Sequence, residues 1–244
     1  MVNRPPAAVS QARMAPLGET ALTVEFGNSI DPSINATAIS FSHIIQARGW
    51  DGLLDVVPTY RSVTIHVDPL RLSVRNLRKR LRRLIRELPA HPIISGKEHI
   101  IPVVYGGEWG PDADDVARFA HLSPAEVIRL HSSVTYRVYM LGFSPGFPYL
   151  GNVPDPIAMP RLATPRVRVP AGSIGIAGNQ TGIYPVVTPG GWRLIGCTPV
   201  ALYRPMDLRA FLFSPGDVVR FEPISVDEFH RYKRDHDAGT PRHQ

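Results

Sequence analysis

Cysteine is nearly missing from this chain, with Cys197 alone among 244 residues. A single thiol rules out an internal disulfide, a C-x-x-C redox pair and a multi-cysteine zinc site. Long apolar runs are missing as well, since none approaches the roughly 20 residues that cross a bilayer. The first twenty residues, MVNRPPAAVSQARMAPLGET, lack the continuous apolar core of an export signal. A cytoplasmic protein with no membrane role is expected, with residues 1–17 as a flexible N-terminus. No phosphate loop is found. The nearest fragment, Gly96-Lys97-Glu98, lacks both the upstream glycine spacing and the hydroxyl that would hold magnesium. The nine histidines include no H-x-x-x-H pair, so no metal site is expected. Gly142-Phe143-Ser144-Pro145-Gly146 spells the G-x-S-x-G of a hydrolase elbow. Its oxyanion hole needs the N–H of the residue after the serine, and Pro145 has none, so a serine nucleophile is not expected.

What remains is the composition of a globular protein, 43% hydrophobic and 20% charged. The length suits two domains of roughly 100 to 150 residues each. The net charge of +6 suggests nucleic acid until it is located. Residues 71–88 hold eight basic side chains against Glu87, which accounts for more than the whole excess. No aromatic residue interrupts that segment to stack on bases, so it reads as the solvated face of one helix and no nucleic-acid partner is expected.

Hydrophobic period organises the chain. TALTVEF at residues 20–26 alternates as a half-buried strand. A helix follows, capped by Asp31 with Pro32 at its first position and carrying Ile34, Ala38, Phe41 and Ile45 on one face. Leu53–Val57 and Val63–Val67 flank a short turn and read as a hairpin. The basic helix comes next, closed by Pro89 and Pro92, and a strand is expected at His99–Val104. The order β-α-β-β-α-β is that of a ferredoxin-like unit. Ser123-Pro124-Ala125-Glu126 is a capping box leading into a helix that ends near His131. From Tyr136 onward, short β-forming runs broken by Gly and Pro indicate a compact barrel or sandwich. Ser225-Val226-Asp227-Glu228 opens a last helix, and residues after about Arg234 read as disordered.

Polar groups concentrate in this otherwise apolar second half. Arg166 and Arg168 alternate with Val167 and Val169, which turns both guanidinium groups to one face, suited to a carboxylate or phosphoryl group. The glycine-rich stretch Pro170–Gly182 leaves room for a ligand, and Asn179 and Gln180 within it can each donate and accept. His131, Tyr136 and Tyr184 complete the candidates. His131 alone reads equally well as a helix-terminal residue favoured by the dipole.

Leu130–Gly151, LHSSVTYRVYMLGFSPGFPYLG, and Thr164–Gly196, TPRVRVPAGSIGIAGNQTGIYPVVTPGGWRLIG, strongly resemble the family of 5-oxoprolinase B subunits. The likeness extends to GETALTVEFG at Gly18–Gly27, IPVVYGGEWGPD at Ile101–Asp112 and PGDVVRFEPIS at Pro215–Ser225. The family also includes sporulation-kinase inhibitors and the first half of allophanate-hydrolase or urea-carboxylase carboxyltransferase modules. The resemblance implies an α+β protein with a ferredoxin-like α/β N-terminal domain over residues 18–97 and a cyclophilin-like β-barrel over residues 98–225. A C-terminal helix and disordered tail would occupy residues 226–244. It implies partners, the C and A subunits of 5-oxoprolinase, and ATP-dependent opening of 5-oxoproline to L-glutamate, with ATP and Mg bound with or by a partner. For that reaction Arg166 and Arg168 are expected to bind the substrate carboxylate or phosphoryl group and Asn179 and Gln180 to orient the lactam, with Tyr184 also expected to bind substrate. His131 or Tyr136 then handles protons. The other branches of the family leave open a non-enzymatic histidine-kinase inhibitor and a carboxyltransferase component of urea degradation. Cys197 stands where the family pattern often carries arginine.

Overall fold

The structure, a computed structural model, describes residues 12–89, 92, 94–207 and 209–237. It divides into two compact units between Ser95 and Gly96. The first unit is a four-stranded antiparallel sheet with two helices. In chain order it runs β1 (Arg13–Leu17), β2 (Ala21–Glu25), α1 (Pro32–Ala47), β3 (Leu53–Pro58), β4 (Ser62–Val67) and α2 (Val74–Glu87). Asp31 caps α1 by accepting the Ser33 and Ile34 N–H groups at 2.8 and 3.2 Å. Ala38, Phe41 and Ile45 of α1 and Leu77, Leu81 and Leu84 of α2 bury one helix face each, together with Val24, Val63 and Ile65 of the sheet. Arg75, Lys79, Arg82, Arg83 and Arg86 point to solvent, so the basic segment is the outer face of α2.

The sheet order, β1-β2-β4-β3, corrects two expectations. Residues 13–17, expected to belong to a flexible N-terminus, are an edge strand paired with β2 from Arg13↔Glu25 to Leu17↔Ala21. The strand expected at His99–Val104 to complete a β-α-β-β-α-β unit belongs to the other unit. The place beside β2 is taken by its own hairpin neighbour, whose loop of three residues closes at small entropic cost compared with a strand that starts more than seventy residues later.

The second unit is built on a closed seven-stranded barrel, so the fold class is mixed α/β. Its elements are β5 (Glu98–Tyr105), α3 (Ala113–Ala120), α4 (Pro124–Ser132), β6 (Thr135–Leu141), β7 (Pro148–Gly151), β8 (Arg166–Val169), β9 (Ser173–Ala177), β10 (Gln180–Ile183), β11 (Thr188–Gly190), β12 (Arg193–Cys197), β13 (Val218–Pro223) and α5 (Val226–Asp237). The barrel closes in the order β10-β7-β6-β13-β5-β12-β9, and β8 and β11 form a separate two-stranded sheet. Inside lie Ile101, Val103, Val138, Ile174, Ile176, Ile195 and Phe221, with Val116 and Val127 packed from α3 and α4. Ile101 and Val103 of β5 face this core, whereas Val104 joins Cys197 and Phe229 in a second cluster under α5. A strand buried on both faces needs a barrel and an outer helix, which is why β5 reads as a continuous apolar run. The last helix reaches Asp237, so residues 235–237, expected to belong to a disordered tail, are helical, and residues 238–244 of that expected tail lie outside the described residues. No helix among the described residues is long and apolar enough to cross a membrane.

Candidate functional site

The arginine pair of β8 opens onto a cleft of about 610 Å³, bounded by the β8–β9 turn, Cys197–Ala201, Trp109 and helix α5. Asp112, 4% exposed, organises one wall. Its Oδ1 accepts a hydrogen bond from Arg166 Nη2 at 2.7 Å, and its Oδ2 accepts the Leu194 N–H at 2.6 Å. One arm of Arg166 is thereby fixed, while its Nη1 is buried without a partner. Arg168 lines the same cleft and forms no ion pair among the described residues. The alternation Arg-Val-Arg-Val thus does place both guanidinium groups together, and Val169 is buried behind them.

The floor depends on Gly172, whose φ of +84° is accessible to few other residues. A Cβ there would lie 2.4 Å from the Thr198 carbonyl oxygen and 3.1 Å from Cys197 Sγ. The turn closes on β12 through the Thr198 N–H, which donates to the Gly172 carbonyl at 2.9 Å. Burial pushes the Cys197 thiol up to about 11, only partly offset by the Lys233 ammonium and the Thr198 backbone. It is a protonated thiol at neutral pH. The apolar walls, Pro170, Leu194, Pro199, Val200 and Phe229, lower the local dielectric and strengthen any charge contact made inside.

The other sequence candidates do not join this cleft. His131 and Tyr136, expected to handle protons, are fully buried in the barrel, which corrects that expectation. Thr181 Oγ1 donates to the Gly175 carbonyl at 3.0 Å and has one proton, so it accepts from His131 Nε2–H at 3.0 Å. That leaves Nδ1 to accept from the Tyr105 hydroxyl at 2.8 Å. Both ring nitrogens are used by a neutral imidazole stacked 4.7 Å from Phe221, and burial depresses its pKa to about 3. The Tyr136 hydroxyl donates to the His131 carbonyl at 2.9 Å, and burial raises its pKa far above the usual tyrosine value. Both side chains are core polar groups satisfied from within.

Asn179 and Gln180 sit at the β9–β10 turn, while the cleft is bounded by the start of β9, so the four residues expected to converge are split between two ends of one strand. Tyr184 faces a second cleft of about 320 Å³, walled by Phe143, Phe147, Tyr149 and Trp192. Its ring packs edge to face on Phe147 at 5.2 Å, and burial raises its pKa. Ser144 lies in a turn with its Oγ buried and unpartnered, and no base contacts it among the described residues. No cluster of three or more His, Cys, Asp or Glu side chains able to hold a metal occurs among the described residues.

Two members of the site, Asp112 and Lys233, escape a reading of the sequence. Asp112 ends the motif IPVVYGGEWGPD, but a partner 54 positions away leaves no local signal. Lys233 falls at the edge of a segment whose composition reads as tail.

The chain matches the carboxyltransferase domain family, subdomains C and D, over residues 12–213. It is 40% identical over 233 residues to the B subunit of 5-oxoprolinase from Bacillus subtilis (strain 168), covering 90% of this chain and 95% of that one. It is 42% identical over 219 residues to the B subunit of 5-oxoprolinase from Escherichia coli O157:H7, covering 88% and 97%. Among solved structures, the crystal structure of TTHA0988 matches with a TM-score of 0.76 at 40% identity over 85% of this chain. The chain spans 40% of the length of that solved protein.

Proposed function

Since this chain belongs to the family of 5-oxoprolinase B subunits, within the carboxyltransferase-domain proteins, we propose that it is the B subunit of an ATP-dependent 5-oxoprolinase. With the A and C subunits it opens the 5-oxoproline lactam to L-glutamate. The observation that carries the reading is the cleft in which Arg166, oriented by Asp112, and Arg168 line one wall while Pro170, Leu194, Pro199, Val200 and Phe229 supply apolar lining. A five-membered lactam is a resonance-stabilised amide that water attacks slowly. ATP supplies the activation, by turning the amide oxygen into a group that can be expelled. The task of this chain is to hold a small anionic substrate, place its amide against fixed positive charge and keep water out.

The arginines bind carboxylate or phosphoryl oxygens in the paired geometry that guanidinium favours. No general base is assigned to this chain, because His131 is enclosed and the Cys197 thiol is protonated at neutral pH. Proton transfer and the nucleotide with its Mg are therefore ascribed to a partner, in line with the lack of a phosphate loop in the sequence. Mixing 5-oxoproline and ATP with all three subunits, and then with this chain left out, tests the proposal. Glutamate forms in the first mixture and not in the second; equal glutamate in both excludes the role.

The carboxyltransferase-domain match favours a second reading, a component that passes a carboxyl group from carboxybiotin to an amide. Bicarbonate dependence and a biotinylated partner distinguish it from the first.

A further inference from the structure

The family match ends at residue 213, yet one wall of the cleft comes from helix α5, which begins at Val226. That helix is firmly built. Ser225 caps it through Glu228, whose N–H donates to Ser225 Oγ at 3.3 Å while its carboxylate accepts the Ser225 N–H at 2.8 Å. Phe229 packs on Trp109 with ring centroids 4.4 Å apart and is buried with Val104 and Cys197. One turn later, on the same helix face, Lys233 lines the cleft. Its ammonium forms no ion pair among the described residues, and it lies close enough to Cys197 to act electrostatically on the thiol.

The charges around the cleft give this lysine its significance. Arg166 is paired with Asp112, and in formal charge the remaining lining groups Arg168 and Glu108 cancel in number without forming an ion pair among the described residues. Without Lys233 the cleft carries no excess positive charge. With it, the cleft attracts an anion. We infer that Lys233 is a specificity-determining residue that binds the anionic group of the ligand, so that the cleft takes a small carboxylate in preference to its neutral analogue. The inference rests on the proposed site but not on the reaction.

Cys197, the only thiol of the chain, provides the test, because it lies in the same cleft under α5. The full chain, alone and with its partner subunits, is alkylated with iodoacetamide, an uncharged reagent, and the Cys197 peptide is followed by mass spectrometry. Two probes are compared, 5-oxoproline and 2-pyrrolidone, the same lactam without the carboxylate. In the wild type 5-oxoproline slows labelling and 2-pyrrolidone does not. Lys233→Met raises the half-protecting concentration of 5-oxoproline about fivefold, the size of one partly exposed charge-assisted contact, and Lys233→Arg restores it. In the assembled enzyme Lys233→Met raises KM by a similar factor with kcat kept, the sign of lost uniform binding. Equal protection by both probes, no protection in the wild type, or unchanged protection in Lys233→Met would each overturn the inference. Protection by 5-oxoproline without any glutamate formation would leave the inference standing and remove the proposed reaction.

Discussion

Arg166 and Asp112 meet at 2.7 Å across 54 positions of sequence, and the second oxygen of the same carboxylate holds the backbone N–H of Leu194 on β12. One buried side chain thereby fixes an arginine of the cleft to the barrel wall. Truncation to Asp112→Ala leaves a partly buried guanidinium and an amide without acceptors. A loss of about 3 kcal/mol is expected, and with it a fall in Tm of roughly 6–12 °C for the barrel unit by calorimetry. Asp112→Asn keeps an acceptor for Leu194 and loses about half as much. A Tm unchanged in Asp112→Ala would show that the pair contributes nothing.

His131 gives the protein an acid-side sensitivity. Its pKa is about 3 in the folded chain and near 6.5 in the unfolded one. Below pH 6.5 the unfolded state takes up a proton that the folded state refuses. Stability contributed by the neutral ring is whole above pH 6.5 and declines as pH falls toward 3, by about 1.4 kcal/mol per unit. His131→Gln should be less stable at pH 7 but lose less between pH 6 and 4.5, above the range in which the lowered carboxyl groups Asp31 and Asp217 titrate. Urea midpoints at four pH values check this; parallel curves for wild type and variant would contradict it.

What the sequence reveals and what it conceals divide by distance along the chain. The Asp31 and Ser123 caps join residues two or three apart, so local spacing predicts them, and the Arg166–Val169 alternation is likewise local. Pairing is not local. The pattern of Glu98–Tyr105 announces a strand but not whether its neighbour is β2 or β13, and it pairs in parallel with β13. Arg13–Leu17 has only one half-buried position and contains Pro16, so nothing marks it as a strand before its hairpin forms. A histidine at a helix end has the same sequence signature whether it faces solvent or, like His131, the interior of a barrel. One glycine-rich stretch joins Asn179 and Gln180 to the arginines in sequence, but an intervening strand carries the two pairs to opposite ends.

Gly172 is the strictest position of the cleft floor. Gly172→Ala combines a left-handed backbone with a contact at 2.4 Å to a carbonyl oxygen. The chain must shift there, at about 2 kcal/mol or more. A lower Tm together with faster alkylation of Cys197 is expected. Unchanged values for both would mean that the turn yields freely.

Cys197 lines the cleft as a protonated thiol, with its pKa near 11. Cys197→Ala should therefore keep glutamate formation within about threefold in the assembled enzyme, because no nucleophile is removed and only a small packing change remains. A loss of 100-fold or more, on the order of 3 kcal/mol, would assign the thiol a chemical role that its burial argues against.

The proposed work of the cleft stands or falls with the β8 arginines acting on the substrate. It is probed by kcat/KM for 5-oxoproline with Arg166→Ala, Arg168→Ala and the double variant, each assembled with the A and C subunits and checked for native Tm. A fall of at least about 100-fold is predicted for the double variant, the loss of two charge-assisted contacts. Near-normal kinetics in a correctly folded double variant would contradict that role.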